Sequence, residues 1–375
     1  MIYAIICEFN PFHNGHRYLL EQLPKKEGDY IVCIMSSSFV QRGEPAAFDK
    51  WERAAAAVRF GADLVLELPL PYALSDGDRF AAKGVEIAAA LGQPATLAFG
   101  TECEDLDGLQ ALAKVSEDTL SPIIKDFLDQ GYSYGAARQQ ALEQLLPEQA
   151  MLLRSPNNLL ACGYIRACLK HGLGYTAIRR TNQHDGAPID DISSASYIRK
   201  HPQFMQKYAP CPQGAMLDMA AAEQGLLTLL KTKTADQLRQ SANISEGLEN
   251  RILSALFETS TLTELTDRIK TKRYSHAKLR RALCAAALGI PAGLPEADAP
   301  YLRVLAFGKK GRHLLRSLKD TARLPLCQSG KECENVSPAF FALERLATDL
   351  CNGWYKDPRP AGEDYRRGAT YVNEE

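Results

Sequence analysis

The sequence has almost no net charge, because 44 Lys and Arg residues oppose 45 Asp and Glu residues for a formal charge of -1. The whole chain therefore creates no global field that would attract nucleic acid or an anionic membrane, and any polyanion site must be a local patch. No apolar run approaches the length of a membrane span. No basic leader precedes the first apolar run, which reaches Glu8 early, so we expect neither a secretory signal nor a membrane partner.

Motifs that bind structural zinc or carry out thiol exchange are also missing. The chain has ten cysteines, but no two of them are spaced as Cys-x-x-Cys. Their scatter favours reduced thiols in a cytoplasmic protein. The content of 46% hydrophobic and 24% charged residues is ordinary, which excludes disorder, collagen-like repetition and a coiled-coil rod. A chain of 375 residues has room for two domains.

Short apolar runs alternate with segments of helical periodicity in the first hundred residues. The runs of strand length are residues 2–7, 30–35, 63–68 and 96–99. The segments with helical spacing between them are residues 16–23, 50–60 and 76–91. Strands that alternate with helices predict a parallel sheet covered by helices, and such sheets bind ligands at the carboxyl ends of their strands.

Strand signals fade in the second half of the chain. We predict one more strand at residues 175–180 and a helical turn at 196–200, and then mostly helices, including residues 301–307. The tail after Asp357 is predicted to be loosely ordered. The chain is therefore predicted to be an α/β protein, with a Rossmann-like parallel sheet in residues 1–205 and a mainly α-helical domain in residues 206–375.

The segment after the first strand carries the strongest chemical signal. It reads Glu8-Phe9-Asn10-Pro11-Phe12-His13-Asn14-Gly15-His16. Pro11 forces a turn, and Gly15 permits close backbone approach near the start of the next helix, whose N-terminus favours an anion. Two imidazoles three positions apart would lie on one face and donate hydrogen bonds to a nucleotide α-phosphate. Alternatives are an incidental surface pair or half of a metal site, but no third metal ligand is spaced nearby, and we predict no bound metal from these residues.

A second segment places three hydroxyls and a guanidinium around a helix start. It reads Ile192-Ser193-Ser194-Ala195-Ser196-Tyr197-Ile198-Arg199. The serines could simply cap the helix. Together with the first segment, however, Ser193, Ser194, Ser196 and Arg199 become a candidate clamp for the β- and γ-phosphates, because a guanidinium offers a bidentate fork.

These two segments resemble the signatures of the HIGH-type nucleotidyltransferase superfamily. The chain is similar, more closely, to the bacterial tRNA(Met) cytidine acetate ligase family through segments that occur in order over residues 1 to about 320. They read E-F-N-P-F-H-N-G-H, F-V-Q-R-G-E-P-A, G-A-D-L-V-L-E-L-P, F-G-T-E, S-P-N-N-L-L and K-R-Y-S-H-A-K-L-R-R. Two segments depart from the family pattern: Ser36-Ser37-Ser38-Phe39 replaces Ser-Gly-x-Phe, and the loop from Arg180 to Asp185 is shortened.

The resemblance implies an ATP-dependent ligase that joins acetate to elongator tRNA(Met). Acetate and ATP would form acetyl-adenylate, and the acetyl group would pass to N4 of the wobble cytidine, giving N4-acetylcytidine. The resemblance makes His13, His16 and Arg199 the candidate catalytic residues. The implied ATP contacts are Ile6, Cys7, Glu8, Phe9, Asn10, Pro11, Phe12, His13, Asn14, Gly15, His16, Gly100, Asn157, Arg180, Ser193, Ser194, Ser196 and Arg199. Mg²⁺ is expected to accompany the phosphates.

Two basic tracts in the helical half are candidates for RNA contact. The first gives the predicted tRNA-binding residues Lys272, Arg273, Tyr274, Lys278, Arg280 and Arg281. The second comprises Arg303, Lys309, Lys310, Arg312, Arg316 and Lys319. Such runs are often solvated helix faces, but a local basic patch on a chain of near-zero charge is also the footprint of an RNA backbone, and aromatic residues could stack on an unpaired base. We expect RNA, and neither DNA nor a membrane, as the macromolecular partner.

Two other functions remain open at the level of sequence. A small-molecule adenylyltransferase of the pantetheine-phosphate or nicotinamide-mononucleotide type would resemble only the first half of the chain. A non-catalytic RNA-binding factor with a decayed nucleotide fold would not need intact His13, Gly15, His16 and Arg199.

Overall fold

The computed structural model describes residues 1–180, 191–211, 214–245 and 247–373. Its strands are β1 (Ile2–Cys7), β2 (Tyr30–Ser36), β3 (Phe39–Val40), β4 (Glu44–Pro45), β5 (Leu64–Leu68), β6 (Ala95–Thr101), β7 (Gly174–Arg179), β8 (Leu302–Phe307), β9 (Leu326–Cys327) and β10 (Thr370–Tyr371).

Helices fill most of the space between and after these strands. In the first half they are α1 (Asn14–Glu21), α2 (Lys50–Arg59), α3 (Leu70–Ala73), α4 (Gly77–Ala89), α5 (Leu106–Lys114), α6 (Glu117–Asp129), α7 (Tyr134–Leu145), α8 (Pro147–Ala150), α9 (Pro156–His171) and α10 (Ala195–Lys200). In the second half they are α11 (Met205–Tyr208), α12 (Met219–Lys231), α13 (Ala235–Arg239), α14 (Leu248–Leu256), α15 (Leu262–Ile269), α16 (His276–Leu288), α17 (Lys309–Thr321), α18 (Gly330–Val336), α19 (Pro338–Gly353) and α20 (Glu363–Arg366). Short 3₁₀ turns span Met151–Arg154, Pro202–Phe204 and Leu294–Glu296.

The main sheet has the strand order β10-β8-β5-β2-β1-β6-β7, and β9 pairs with β8. Strands β5, β2, β1, β6 and β7 run parallel to one another. The chain moves outward from β1 through β2 to β5 and then returns to place β6 on the other side of β1. The strand order therefore reverses at β1 and β6, and ligands bind at such a switch point. The predicted α/β fold with a following helical region is confirmed.

The prediction of a helix over residues 301–307 is wrong. Residues Leu302–Phe307 form β8, which joins the main sheet antiparallel to β5. Leu302 and Val304 pack in the core on one face of the sheet, whereas Leu305 and Ala306 pack in the core on the other. A short run that is buried on both faces has no alternation, so its periodicity does not distinguish a strand from a buried helix.

Residues 358–373 are ordered, which also differs from the prediction. It forms α20, and β10 then pairs in parallel with β8 at the edge of the sheet. Asp364 in α20 is fully buried and contacts Lys50 at 2.8 Å and Arg303 at 2.6 Å. Because the partners of Asp364 lie far away in the sequence, the polar segment itself gives no indication that it is ordered.

Helices α12 to α16 enclose a second core that is continuous with the hairpin β3–β4. Phe39 of β3 belongs to this core together with Leu70, Leu74 and apolar residues of α12, α14, α15 and α16. The division of the chain near residue 205 stays a prediction, although β8 to β10 extend the sheet of the first part. Within the described residues, no helix has the length and apolar character needed to cross a bilayer.

Candidate nucleotide site

The residues around the carboxyl ends of β1 and β6 form the candidate site. Ile6 and Cys7 end β1, and the Sγ of Cys7 lies 3.7 Å from the carbonyl oxygen of Ile34. The chain then turns at a cis peptide bond between Asn10 and Pro11. Helix α1 begins immediately afterwards, so its N-terminus lies at the edge where the sheet order reverses.

His13 and His16 form a reciprocal cap at the start of α1. The Nδ1 of His13 accepts a hydrogen bond from the backbone N–H of Gly15 at 3.1 Å. The Nδ1 of His16 accepts one from the backbone N–H of His13 at 3.3 Å. The two rings stack with their centroids 3.7 Å apart. Because each Nδ1 is an acceptor, the proton of each neutral ring is assigned to Nε2. The arrangement thus presents two Nε2–H donors.

The surroundings keep both imidazoles neutral. Burial, with the nearby charges of Arg180 and Arg199, lowers the pKa of His13 to about 3. Burial, His13 and Arg180 likewise lower the pKa of His16 well below its usual value. Neutral imidazoles can still donate hydrogen bonds to a phosphate, while the positive charge at the site comes from the guanidinium groups and the N-terminus of α1.

The lowered pKa of His13 predicts that acid destabilises the protein. Between the unfolded value of 6.5 and the folded value of about 3, the unfolded chain binds more protons, so the free energy of unfolding decreases as the pH falls. From pH 6.5 to 5 this group should account for up to about 2 kcal/mol. Urea unfolding of the nucleotide-free protein should show that loss. His13→Asn keeps a capping acceptor but removes the titrating imidazole, so its loss of unfolding free energy over this pH range should be smaller. An equal loss in both proteins would show that His13 does not cause the acid destabilisation.

Phe9 and Phe12 pack under the imidazoles. Both rings are buried, and their centroids lie 4.8 Å and 5.8 Å from that of His16. Phe12 also stacks on Phe60 at 5.9 Å. The two phenylalanines therefore orient His16 from the core, and their predicted contact with ATP stays a prediction.

Gly15 and Asn14 connect α1 to the second predicted segment. A Cβ atom on Gly15 would lie 3.0 Å from the His13 ring and 3.4 Å from Ile192, so a larger residue would disturb both. The Nδ2 of Asn14 donates to the carbonyl oxygen of Asp191 at 2.8 Å. The structure therefore brings the two segments together, as the clamp hypothesis requires.

The serines of the second segment have different surroundings. Ser194 caps α10, since its Oγ accepts from the backbone N–H of Tyr197 at 3.1 Å. The Oγ of Ser193 is buried and has no hydrogen-bond partner among the described residues. Ser196 lies in the first turn of α10. A capping role is thus established for Ser194, and phosphate contact by the three serines stays a prediction.

Gly100 and Arg180 lie against each other on β6 and beyond β7. A Cβ atom on Gly100 would lie 3.2 Å from the Cγ of Arg180, so the glycine leaves room for this side chain. The backbone N–H of Arg180 donates to Thr101 at 3.0 Å. The Nε of Arg180 is buried and has no partner among the described residues. This guanidinium is suited to an anion that binds next to His13, between the carboxyl ends of β1 and β6. This place is called the nucleotide corner below. The loop after it, including His184 and Asp185, lies outside the described residues.

Asn157 contacts a residue that the sequence analysis did not select. Its Nδ2 donates to Glu102, which also accepts from Ser155. The backbone N–H of Glu102 donates to the Oδ1 of Asn158 at 3.0 Å. The F-G-T-E and S-P-N-N segments are therefore neighbours, and Glu102 orients Asn157. Glu102 was not predicted as a site residue, although it lies in the F-G-T-E segment.

Arg199 lies at the corner but its guanidinium is engaged by protein groups. Its Nη1 donates to the carbonyl oxygen of Asn10 at 2.6 Å, and its Nη2 contacts the Oε1 of Glu44 at 2.9 Å. The Oδ1 of Asn10 accepts from the backbone N–H of Ala47 at 2.7 Å. Glu8 lies next to this group, and burial raises the pKa of its carboxyl. Glu44 was not among the site residues predicted from the sequence.

Arg53 supports the two turns that follow β1 and β2. Its side chain is fully buried in α2 and donates to the carbonyl oxygens of Glu8 at 2.6 Å and Ser36 at 3.1 Å. It also donates to the carbonyl oxygen of Ser37. The serine-rich loop that departs from the family pattern is thus held closed from inside. The sequence did contain one indication that Arg53 is buried, because it lies four positions before Ala57 on the apolar face of α2.

The first basic tract is partly exposed and partly buried. Lys272, Arg273 and Arg280 are exposed, and Lys278 is half-buried with its Nζ 4.7 Å from the ring centre of Tyr274. The Tyr274 ring is buried in the helical core, which conflicts with a base-stacking role. Arg281 is 9% exposed and donates to the carbonyl oxygen of Gln41. Its side chain therefore lies between α16 and the turn of the β3–β4 hairpin and does not face solvent.

The second basic tract also contains both a buried residue and exposed ones. Arg303 is buried in β8 and pairs with Glu67 at 3.1 Å, so it does not belong to a surface patch. The other members lie on the exposed face of α17 and are Lys309, Lys310, Arg312, Arg316 and Lys319. The apolar face of this helix packs on the sheet core through Leu314, Leu315 and Leu318. Its cations therefore form one solvated stripe.

Comparison with known proteins agrees with this geometry. The family model described as HIGH Nucleotidyl Transferase matches residues 1–364. The tRNA(Met) cytidine acetate ligase of Acetivibrio thermocellus is 34% identical over 97% of this chain and 98% of that protein. The protein of the same name from Clostridium acetobutylicum is 31% identical over 98% of each chain.

Two solved structures extend the similarity to the whole fold. Thermotoga maritima TmcAL bound with alpha-thio ATP superposes with a TM-score of 0.89 at 26% sequence identity, covering 99% of each chain. The apo form of the same protein superposes with a TM-score of 0.91 at 26% identity, also over 99% of each chain.

Proposed function

We propose that this chain, which belongs to the tRNA(Met) cytidine acetate ligase family of HIGH nucleotidyltransferases, activates acetate with ATP and transfers the acetyl group to elongator tRNA(Met). The observation that carries the proposal is the pair of stacked, neutral imidazoles at the N-terminus of α1, with Arg180 and Arg199 beside them. An anionic nucleotide fits this corner better than a metal ion or a neutral ligand would.

The first step requires positioning and charge stabilisation more than proton transfer. A carboxylate oxygen of acetate attacks the α-phosphorus of ATP, the bond to the bridging oxygen breaks, and pyrophosphate leaves. Acetate is already ionised, so the step needs no general base. The Nε2–H groups of His13 and His16 would donate to the α-phosphate oxygens as negative charge grows, and Arg180 and Arg199 would neutralise the departing phosphates.

In the second step, the N4 amino group of the wobble cytidine attacks the acetyl carbonyl carbon of the adenylate. AMP leaves, the amino nitrogen loses a proton, and N4-acetylcytidine results. This chain's contribution would be to hold the adenylate by the residues of β1, α1 and the segment before α10 while the RNA base approaches. Since tRNA is the acceptor, we place the reaction in the cytoplasm.

Mg²⁺ would enter this site with the nucleotide. The groups brought together around His13 are mainly imidazole and guanidinium donors, which contact phosphate oxygens and do not ligate a hard cation. Among the described residues, no group of three or more His, Cys, Asp or Glu side chains could hold a metal ion. We propose that Mg²⁺ would bind together with the triphosphate and would offset part of its charge.

An exposed groove between Gly131 and the helical half supports RNA contact. It has a volume of about 360 Å³ and is lined by Gly131, Arg251, Thr271, Lys272, Arg273 and Tyr274. Arg251, Lys272 and Arg273 are exposed cations, and a groove of this charge suits a phosphodiester backbone. We propose that the groove and the exposed Arg280 contact the tRNA.

The direct test is incubation of the purified protein with ATP, labelled acetate and elongator tRNA(Met), followed by mass analysis of the RNA. We expect one acetyl group on the wobble cytidine and the release of AMP and pyrophosphate in equal amounts. Acetylation must depend on ATP. A protein that binds the tRNA but never consumes ATP would instead be an RNA-binding factor, and the proposal would be wrong.

Replacing Lys272 and Arg273 by alanine should weaken tRNA binding by about tenfold at moderate salt. Two fewer cations in the groove should also flatten the dependence of the binding constant on salt, since fewer counterions are released. Filter binding over a salt series measures the affinity and the slope together.

The matched control for this variant replaces Lys25 and Lys26, two exposed cations in the turn before β2. It removes the same charge from a different surface and should leave the salt slope unchanged. An equal loss in the two double variants would show that total charge, and not the groove, determines the affinity.

A further inference from the structure

The hairpin β3–β4 lies between the nucleotide corner and the start of α16. On one side, the backbone N–H of Gln41 donates to the Oε1 of Glu8 at 2.7 Å. On the other side, the carbonyl oxygen of Gln41 accepts from Arg281 at 3.3 Å, and that of Gly43 accepts from the Sγ of Cys284 at 3.2 Å. The turn of this hairpin therefore touches the site and the helix that carries the first basic tract.

Gly43 brings the two backbones into direct contact. Its φ of +78° is in the left-handed region, and a Cβ atom there would lie 2.5 Å from the backbone nitrogen of Arg281 and 2.6 Å from the carbonyl carbon of Arg280. Backbone atoms cannot give way as a flexible side chain does. The position of Glu44, the next residue, is consequently fixed relative to Arg280.

Glu44 is shared by two cations from different parts of the chain. Its Oε1 lies 2.9 Å from the Nη2 of Arg199, and its Oε2 lies 3.9 Å from the Nη1 of Arg280. The side chains of Glu44 and Arg199 are 14% and 17% exposed, whereas that of Arg280 is 44% exposed. The pair with Arg199 is therefore the better shielded from water, and the contact with Arg280 is the weaker one.

We propose that Glu44 is a positioning residue that holds Arg199 when no nucleotide is bound and competes with the triphosphate for its guanidinium. The proposal rests on the proposed function, because it requires ATP to bind at this corner. When phosphate oxygens take up the Nη2 donor of Arg199, Glu44 loses its main partner. Arg280, which already contacts the Oε2 of Glu44, then compensates the negative charge that remains on the Glu44 carboxylate. The RNA-facing tract thus affects nucleotide affinity even when no RNA is bound.

This arrangement predicts an increase in nucleotide affinity when the carboxylate is neutralised. Glu44→Gln keeps the size and a hydrogen-bond acceptor but removes the charge that opposes the phosphates. We expect it to bind α,β-methylene-ATP about threefold to tenfold more tightly than the wild type, measured by calorimetry without RNA. A side chain that only supported the fold would lower the affinity or leave it unchanged.

Arg280 provides the second half of the test. Arg280→Met should weaken analogue binding about twofold in the wild-type background, because Glu44 without its second cation holds Arg199 more firmly. In the Glu44→Gln background the same change should have no effect, so the two substitutions should be coupled. Lys231→Met is the control, since it removes an exposed cation of the helical half, in the last turn of α12, that makes no ion pair with Glu44 among those described.

The outcomes separate the two proposals. A wild-type protein that does not bind the analogue would overturn the proposed function and this inference together. Binding by the wild type with equal or weaker binding by Glu44→Gln would overturn the role of Glu44 alone. Equal effects of Arg280→Met and Lys231→Met, unchanged in the Glu44→Gln background, would reduce Arg280 to a remote charge and would also overturn the proposed sharing.

Discussion

His16→Ala is expected to slow acetylation of tRNA(Met) by about 10² to 10³-fold at saturating ATP. In the proposed mechanism, the substitution removes an Nε2–H donor to charge that grows in the transition state, and losses of this size follow the removal of one such donor in other enzymes. Single-turnover transfer of labelled acetyl groups measures the effect. ATP affinity should change much less, because the donor contributes more to the transition state than to the ground state.

Two further variants separate the functions of the two ring nitrogens. His16→Asn places an acceptor near the position of Nδ1 and should keep the hydrogen bond from the backbone N–H of His13. His16→Gln places an amide donor near the position of Nε2. We expect His16→Gln to retain more activity than His16→Asn, although both should be well folded. The reverse order would mean that capping of α1, and not donation to the phosphate, is the main contribution of His16.

Arg303→Ala is expected to lower the free energy of unfolding by about 3–5 kcal/mol. Arg303 lies in a buried group of charges with Lys50, Glu67 and Asp364, in which Lys50 contacts Glu67 at 2.7 Å and Asp364 at 2.8 Å. Removal of one member leaves a buried carboxylate without its full compensation, and breaking such a pair is costly. Chemical unfolding measures the loss.

The charge states of the group support that magnitude. Burial alone would raise the pKa of Asp364, but Lys50 and Arg303 lower it overall. Burial and the nearby Glu67 raise the pKa of Glu344 to about 8, so this carboxyl is mostly neutral at pH 7. Two cations then face the carboxylates of Glu67 and Asp364, and the charges balance. Any single neutralisation disturbs this balance.

A second substitution should restore part of the stability. Asp364→Asn in the Arg303→Ala protein leaves Lys50 opposite Glu67, so the double variant should be more stable than Arg303→Ala alone. Arg316→Ala, on the exposed face of α17, is the control for loss of an arginine and should change stability by less than about 0.5 kcal/mol. If Arg303→Ala were as mild as this control, the buried charges would not hold the C-terminal segment to the sheet.

The prediction of a helix over residues 301–307 is wrong, and two side chains predicted to bind tRNA, Tyr274 and Arg281, are buried. Residues 301–307 were predicted as helix because a short run buried on both faces of a sheet has no readable period. Tyr274 and Arg281 were chosen because they lie in a basic tract, but Tyr274 follows a tight turn and Arg281 begins the part of α16 that is buried on all sides. Composition along the chain identified the tract and did not indicate which side chains point outward.

The alternation of strands and helices along the first hundred residues, the turn at Pro11 and the placement of two histidines at the start of α1 followed from the sequence alone. Each depends on residues close together along the chain, where spacing limits the backbone to a few conformations. The tertiary structure alone decided that Glu44 meets Arg199 across 155 positions and that Arg303 meets Glu67 across 236. Contacts over such separations are formed when distant segments pack into one core, and a local pattern contains no record of that packing.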